Sequence, residues 1–114
     1  MQTKNRVILV GRVGADPTTK EVSPGKNVTT FSLATEETWK DDKGEKKSAT
    51  EWSDIEMWNN PNIVPYIKKG AGLWIEGKLR TSEYEKIVGG EAVKMKRTKI
   101  VVDEIGLLGG NKDQ

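Results

Sequence analysis

The sequence predicts an all-β protein with one short helix, and three features of the chain lead to that class. Short runs rich in β-branched residues recur along it, with apolar and polar positions alternating as in half-buried strands. Turn-forming pairs such as Asp16-Pro17 and Pro24-Gly25 separate these runs. Only one stretch, near Pro61, carries helix signals. The 114 residues are enough for one domain with a modest core.

The first two strands are predicted in the N-terminal third of the chain. The run RVILVGRVG (6–14) is apolar and β-branched, with a bulge or bend expected at Gly11. In the run VTTFSLATEETW (28–39), successive side chains are predicted to point to opposite faces of a strand, with Phe31 and Leu33 toward the core. The segment between them is predicted to form turns.

A charged segment, KDDKGEKKSAT (40–50), follows the second strand. It mixes charges of both signs and has no large apolar side chain, so we predict a mobile hairpin loop. Two interpretations stay open: a solvated loop, or a flexible arm that closes over an extended anionic ligand.

The third strand, TEWSDIEMW (50–58), predicts two tryptophans on the outside of the protein. Period-2 alternation turns Ile55 and Met57 toward the core. The opposite, polar face then carries Trp52, Asp54, Glu56 and Trp58.

A helix is expected after this strand. Asn60 is a candidate N-cap, Pro61 suits the first helical position, and Gly70 lies just past the end. Pro65 inside the segment predicts that the helix is short or distorted.

Two further strands complete the pattern. LWIEGKLRTSEYEKI (73–87) turns through VGGE into AVKMKRTKIVVDEI (92–105). In the first of them, Leu73, Ile75 and Leu79 share one face, while the other face carries Lys78, Arg80 and Tyr84.

The order is therefore two strands, a charged arm, a strand, a short helix and two strands. This is the order of an OB-fold, a partly open five-stranded Greek-key barrel. We predict this domain over residues 1–108, with a long charged hairpin arm between its second and third strands. Residues 109–114 are expected to form a short disordered tail.

Composition argues against catalysis. The chain has no cysteine and no histidine, so the commonest general base and the usual zinc ligands are missing. We therefore predict no enzyme activity, no metal and no cofactor. No apolar run reaches the length of a membrane span, and nothing marks the chain for export, so we expect a cytoplasmic protein with no membrane partner. The net charge is only +2, so any anionic partner must be bound by locally placed Lys and Arg.

Several motifs occur in a characteristic order: NRVILVGRVGADP, VTTFSLATEETW before an arm ending in TEW, YIKKG, LWIEGKLRTSEYE and LLGG. Together, over about residues 5–110, they resemble the bacterial-type single-stranded DNA-binding proteins. The resemblance implies a homotetramer of OB-folds that binds single strands without sequence specificity. It also implies a role in replication, recombination and repair, with the proteins of those processes as further partners. Relatives usually continue into a linker and an acidic tip, so the resemblance leaves two alternatives: a shortened form of such a protein, or a short member of the family, for instance a phage-encoded one.

The resemblance and the residue pattern together predict the binding residues. Base stacking on aromatic rings tolerates any base, and the family stacks bases at the positions of Trp39, Trp52, Trp58 and Tyr84. Phosphates require Lys and Arg. The predicted phosphate contacts are Arg6, Lys20, Lys40, Lys43, Lys68, Lys69, Lys78, Arg80 and Lys96. Trp74 is predicted to be a packing or interfacial residue.

Some positions depart from the family. Ser53 stands where relatives commonly have a histidine that is important for the tetramer contact, and Asp54 occupies a position that is often basic. Ser82 and Glu83 replace residues that are often basic. The sequence is therefore compatible with a tetramer or a dimer, and with weakened affinity.

Three rival functions are also compatible with the sequence. OB-folds bind RNA as well as DNA, and a 2′-hydroxyl contact leaves no sequence signature. The exposed tryptophans could instead anchor a protein partner, as in an accessory or replication-restart factor. A carboxylate enzyme built on Asp54 and Glu56 is the third.

Overall fold

The computed structural model describes residues 1–108, so the predicted tail at 109–114 lies outside the described residues. Within that part of the chain, the secondary structure consists of strands and one 3-10 turn. The elements are β1 (Val7–Val13), β2 (Thr18–Ser23), β3 (Lys26–Lys40), β4 (Lys46–Trp58), the 3-10 turn (Val64–Tyr66), β5 (Gly72–Val88) and β6 (Glu91–Leu107).

Five strands close into a barrel in the order β1, β5, β6, β4, β3 and back to β1. Neighbouring strands are antiparallel, except that β4 runs parallel to β6 through the pairs Ile55–Ile100 and Glu56–Val101. This closed five-stranded barrel with almost no helix confirms the predicted OB-fold.

The barrel encloses one apolar core built from the inward side chains of its strands. Removing a large apolar side chain of this kind from water stabilises the fold by about 1.5–3 kcal/mol. The buried residues are Val13, Phe31, Leu33, Ile55, Met57, Ile67, Leu73, Ile75 and Ile100.

One apolar residue on the inner face of β5 is exposed. Leu79 shares the parity of Leu73 and Ile75, yet it is 47% exposed. The pairing of β5 with β1 ends at Gly77, where the β5–β6 register also shifts. Beyond that point β5 and β6 continue as a two-stranded hairpin, whose inner face has no barrel wall to cover it.

The structure has one strand more than predicted. The additional strand is β2, which pairs with β3 at the edge of the sheet. It lies between the predicted turn-forming pairs Asp16-Pro17 and Pro24-Gly25. Every residue of β2 is exposed. It has no buried face, and therefore no apolar alternation from which it could have been predicted.

The charged segment forms the predicted hairpin arm, but its strands extend farther into the segment than predicted. The antiparallel β3–β4 ladder continues to the pair Lys40–Lys46. The turn is closed by Asp41, whose Oδ1 accepts hydrogen bonds from the backbone N–H groups of Lys43 (2.9 Å) and Glu45 (2.8 Å). The charged composition did not predict these additional strand residues, because exposed ladder pairs need no apolar side chains.

The predicted helix is reduced to a single 3-10 turn. Its N-cap is Ile63, without a side-chain cap, rather than Asn60. Pro65 lies inside the turn, and Ile67, which follows it, is fully buried in the core. The segment therefore delivers one apolar side chain into the barrel instead of forming a helix.

Gly11 has a role different from the predicted bulge or bend. The β1–β5 register runs through it without a shift. A Cβ atom at Gly11 would overlap the backbone carbonyl of Ala34 in β3. Gly11 therefore allows β1 to approach β3 closely where the barrel closes.

Candidate nucleic-acid interface

The two tryptophans of β4 lie outside the barrel, as predicted. Trp52 is 59% exposed and Trp58 is 41% exposed, whereas Ile55 and Met57 on the other face are buried. Six residues of extended strand separate the two rings by about 20 Å. The same face therefore presents two separate aromatic surfaces to solvent.

The ring of Trp52 rests against the backbone. A Cβ atom built at Gly14 would overlap the Cζ3 atom of Trp52. Only glycine leaves room for the ring at this position. One side of Trp52 is thus supported while more than half of the residue stays accessible.

Trp58 is oriented by a carboxylate on its own strand. Its indole Nε1 donates a hydrogen bond to Glu56 Oε2 (2.8 Å), and the Lys99 ammonium contacts Glu56 Oε1 at 2.6 Å. Burial raises the pKa of Glu56, but the hydrogen bonds from Lys99 and Trp58 and the positive charges of Lys99 and Arg80 together outweigh it, so the net pKa lies below the ordinary value. Glu56 is therefore an anion at neutral pH.

A second ion pair lies beside the first. Arg97 Nε donates to Asp54 Oδ2 at 3.0 Å. This hydrogen bond raises the pKa of Arg97 further. Both pairs connect β4 to β6 across the parallel seam of the barrel.

The same surface continues onto β5. Cross-strand register places Arg80 opposite Lys99 and Tyr84 opposite Met95. Tyr84 is 47% exposed. Lys78 shares this face and lies 3.9 Å from Asp103. We call this surface the outer face; its aromatic and basic residues are Trp52, Trp58, Lys78, Arg80, Tyr84, Arg97 and Lys99.

Lys20 extends the outer face at one edge. It pairs with Val28, which in turn pairs with Trp58, so the three residues form one row across β2, β3 and β4. Two strand spacings separate the backbones of Lys20 and Trp58 by about 10 Å. This predicted basic residue therefore lies near a predicted stacking residue.

The other predicted cations near the barrel lie on other elements. Arg6 forms an ion pair with Glu76 (2.9 Å) on the β1–β5 side. Lys68 and Lys69 follow the 3-10 turn, and the backbone N–H of Lys69 donates to Asp16 (3.0 Å).

The arm places its residues apart from the barrel site. Trp39 pairs with Lys47, on the sheet face that also carries Phe31 and Leu33, opposite to the face of Trp52. It is nevertheless 47% exposed, because the arm extends past the barrel core. Lys40 is in the last ladder pair, and Lys43 lies in the arm's turn.

Lys96 also lies away from the outer face. It pairs with Glu83, on the hairpin face opposite to Arg80 and Tyr84. Arg97 and Lys99 lie on the outer face, although they are not among the predicted phosphate contacts. Strand alternation predicts this position for both, because each is an odd number of residues before the buried Ile100. Trp74 lies against Gly106, which agrees with the packing role predicted for it.

The described residues show two further negative findings. No three carboxylate side chains within residues 1–108 come together as a metal site. Over the same residues, no helix has the length and apolarity needed to cross a membrane.

Comparison with protein families gives a match over almost the whole chain. The model of the Single-strand binding protein family matches residues 4–108. A single-stranded DNA-binding protein of Neisseria meningitidis is 35% identical over 111 residues, which are 96% of this chain and 62% of the relative. One of Xylella fastidiosa is 38% identical over 111 residues, covering 66% of the relative. The chain thus spans under two thirds of the length of these relatives.

Solved structures agree with the sequence comparison. The Plasmodium falciparum SSB complex with ssDNA has a TM-score of 0.78 and 32% identity, over 96% of this chain and 98% of that chain. A deletion mutant of the single-stranded DNA binding protein from Thermus aquaticus has a TM-score of 0.77 over 94% of this chain and 51% of that one. At 20% identity, the second likeness concerns the fold alone.

Proposed function

The chain belongs to the single-strand binding protein family, and on that basis we propose that it binds single-stranded DNA without sequence specificity. Its role is to coat and protect exposed single strands during replication, recombination and repair. It acts in the cytoplasm of a bacterium or of a phage-infected host, where it meets the proteins of those processes.

The observation that carries this proposal is the composition of the outer face. Exposed rings at Trp52, Trp58 and Tyr84 are interleaved with cations on β5 and β6. Stacking requires only the π-face that every base has, and each Lys or Arg can neutralise one phosphate. Rings and cations on one surface suit a polymer that presents bases and phosphates in alternation.

We also propose that the protein is not an enzyme. Asp54 and Glu56 lie on the binding surface between the two tryptophans, and each is held in an ion pair with a cation of β6. A general base must be able to take up a proton near neutral pH, whereas the pKa of Glu56 is lowered. These carboxylates therefore suit electrostatic roles better than proton transfer.

Equilibrium binding to labelled oligonucleotides tests the function. Oligo-dT, mixed-sequence single-stranded DNA, the matching RNA and a duplex are titrated at two salt concentrations. We expect comparable affinity for both DNA single strands, weak binding to the duplex, and affinity that falls steeply with salt. Preferential RNA binding would favour an RNA-binding module. Absence of binding to every polymer at low salt would contradict the proposal and favour a protein-binding role for the rings.

We further propose that the protein assembles as a homo-oligomer, a tetramer or a dimer, through β1. Ile8 and Val10 are more than half exposed and point outward from β1. Within the described residues, the ladder between β1 and β3 contains only Arg12 and Val13, so residues Val7 to Val10 have no ladder partner on that side. An open apolar edge is a template for pairing with a second copy.

Sedimentation velocity tests the assembly. Val10→Lys places a charge on the proposed contact, so we expect the oligomer to dissociate while the barrel stays folded. Val22→Lys is a matched control, because Val22 is also an exposed valine at a sheet edge, in β2. A monomeric wild type at micromolar concentration, or equal effects of the two changes, would contradict the interface.

A further inference from the structure

A nucleic-acid strand that spans Trp52 and Trp58 must pass over two carboxylates. Asp54 and Glu56 lie between the rings on the same face of β4. They line a groove of about 350 Å³, together with Thr30 of β3 and a third carboxylate, Asp16, which accepts a hydrogen bond from the backbone N–H of Lys69. Carboxylates repel phosphates at short range, so their presence in the middle of this surface needs an explanation.

Each carboxylate already holds a cation. Asp54 contacts Arg97 at 3.0 Å, and Glu56 contacts Lys99 at 2.6 Å. The second pair is the better shielded, because the side chains of Glu56 and Lys99 are only 13% and 28% exposed. Two positive and two negative charges cancel over the strip between the tryptophans.

Carboxylate and phosphate oxygens are equivalent ligands for these cations. Guanidinium and ammonium groups donate the same charge-assisted hydrogen bonds to either anion. A phosphate that approaches Arg97 or Lys99 therefore meets a site that is occupied by the protein's own anion.

We propose that Asp54 and Glu56 are intramolecular competitors of phosphate: they occupy Arg97 and Lys99 and so lower the affinity for single-stranded DNA. This inference rests on the proposed function. Glu56 has a second contact, the hydrogen bond from Trp58 Nε1. A phosphate that displaces Glu56 from Lys99 therefore also disturbs the group that orients Trp58, which couples phosphate binding to the position of a stacking ring.

Two nearly isosteric substitutions test the proposal. Asp54→Asn and Glu56→Gln remove the charge and keep an oxygen of similar position, which can still accept the Trp58 hydrogen bond in the second variant. Glu21→Gln is the matched control, since it removes the same charge from an exposed residue of β2 outside the groove lining. Affinity for oligo-dT is measured by anisotropy over a series of salt concentrations.

We expect each test variant to bind oligo-dT about five-fold more tightly than wild type at low salt. That factor corresponds to one unit-charge interaction at about 4 Å in water. Each released cation should also gain about one phosphate contact, which steepens the slope of log affinity against log salt by about 0.7. Glu21→Gln should show a clearly smaller gain and no change in slope.

Three results would overturn the inference while leaving the function intact. They are affinity equal to that of Glu21→Gln, weaker binding than wild type, or a lowered unfolding temperature without any gain in affinity. The last result would mean that the ion pairs serve only to hold β4 against β6. Failure of the wild type itself to bind oligo-dT is a different outcome, because it removes the proposed function as well.

Discussion

At the scale of single residues, Trp52 and Trp58 carry the stacking hypothesis. We expect Trp52→Ala and Trp58→Ala each to weaken single-strand binding by about 1–3 kcal/mol, because each removes one base-stacking surface. The loss should be similar on oligo-dT, oligo-dA and oligo-dC, as measured by anisotropy. Trp→Phe at the same positions is the control and should retain most of the affinity. Losses that depend strongly on the base would count against stacking.

Gly14 is predicted to act on binding through Trp52. Gly14→Ala places a methyl group where the end of the ring now lies, so the ring must move. The colliding atoms are at the tip of a side chain, so stability should change by less than about 1 kcal/mol, while binding weakens by about 1 kcal/mol or more. Chemical denaturation and oligonucleotide titration separate the two effects.

Gly72→Ala is the matched control for this glycine. A Cβ atom there would meet Leu108 at 3.4 Å, which is an ordinary van der Waals distance. We expect its binding to equal that of wild type. If Gly14→Ala also binds normally, the position of the Trp52 ring does not matter for affinity.

At the scale of elements, the two faces of the β5–β6 hairpin are predicted to differ in their contribution to binding. Arg80 lies on the outer face with Tyr84, and Lys96 lies on the opposite face, next to Glu83. Arg80→Ala should reduce the slope of log affinity against log salt by about 0.7, the value for one phosphate contact on a single strand.

Lys96→Ala makes the same charge change on the other face of that hairpin. We expect a smaller effect on the slope than for Arg80→Ala. Equal effects would mean that the strand wraps around both faces of the hairpin, and an unchanged slope for Arg80→Ala would mean that this cation does not touch phosphate.

Much of the fold could be predicted because most barrel strands have one buried face. That face makes apolar residues alternate, as Phe31 with Leu33 and Ile55 with Met57 show. The same alternation placed Trp52 and Trp58 outside. It could not reveal β2, which buries nothing, nor the ladder within the charged arm, whose stability comes from backbone pairing and the Asp41 turn.

The electrostatic part of the site could not be predicted in the same way. Arg97 and Lys99 meet Asp54 and Glu56 only because β4 and β6 lie parallel, more than forty residues apart in the chain. No local pattern encodes that partnership. Parity within β6 alone would have placed the two cations outside, without showing that their charge is already compensated.

At the scale of the whole molecule, the ion pairs also contribute to barrel closure. The β4–β6 ladder has only two register pairs. Because the pKa of Glu56 is lowered in the folded protein, its ionised form stabilises the fold. This contribution is complete above the ordinary pKa of 4.5 and is lost as the pH falls through the lower folded value.

We therefore expect wild type to be more stable than Glu56→Gln at about pH 7 and to lose this advantage progressively as the pH falls below 4.5. Urea denaturation over this pH range measures the difference. Glu21→Gln reports the effect of removing a charge elsewhere on the surface. A difference between wild type and Glu56→Gln that stays constant with pH would mean that the Glu56 ion pair does not contribute to closure.

Stacking of single-stranded DNA on the outer face can be tested directly, because two of its rings are tryptophans. The most direct measurement is quenching of tryptophan fluorescence by oligo-dT, compared between wild type and the double variant Trp52→Phe with Trp58→Phe. We expect strong quenching in wild type, and loss of most of it in the variant while binding, followed by anisotropy, is retained. Quenching of equal extent in both proteins would place the DNA elsewhere, near Trp39 or Trp74, and would rule out stacking on the outer face.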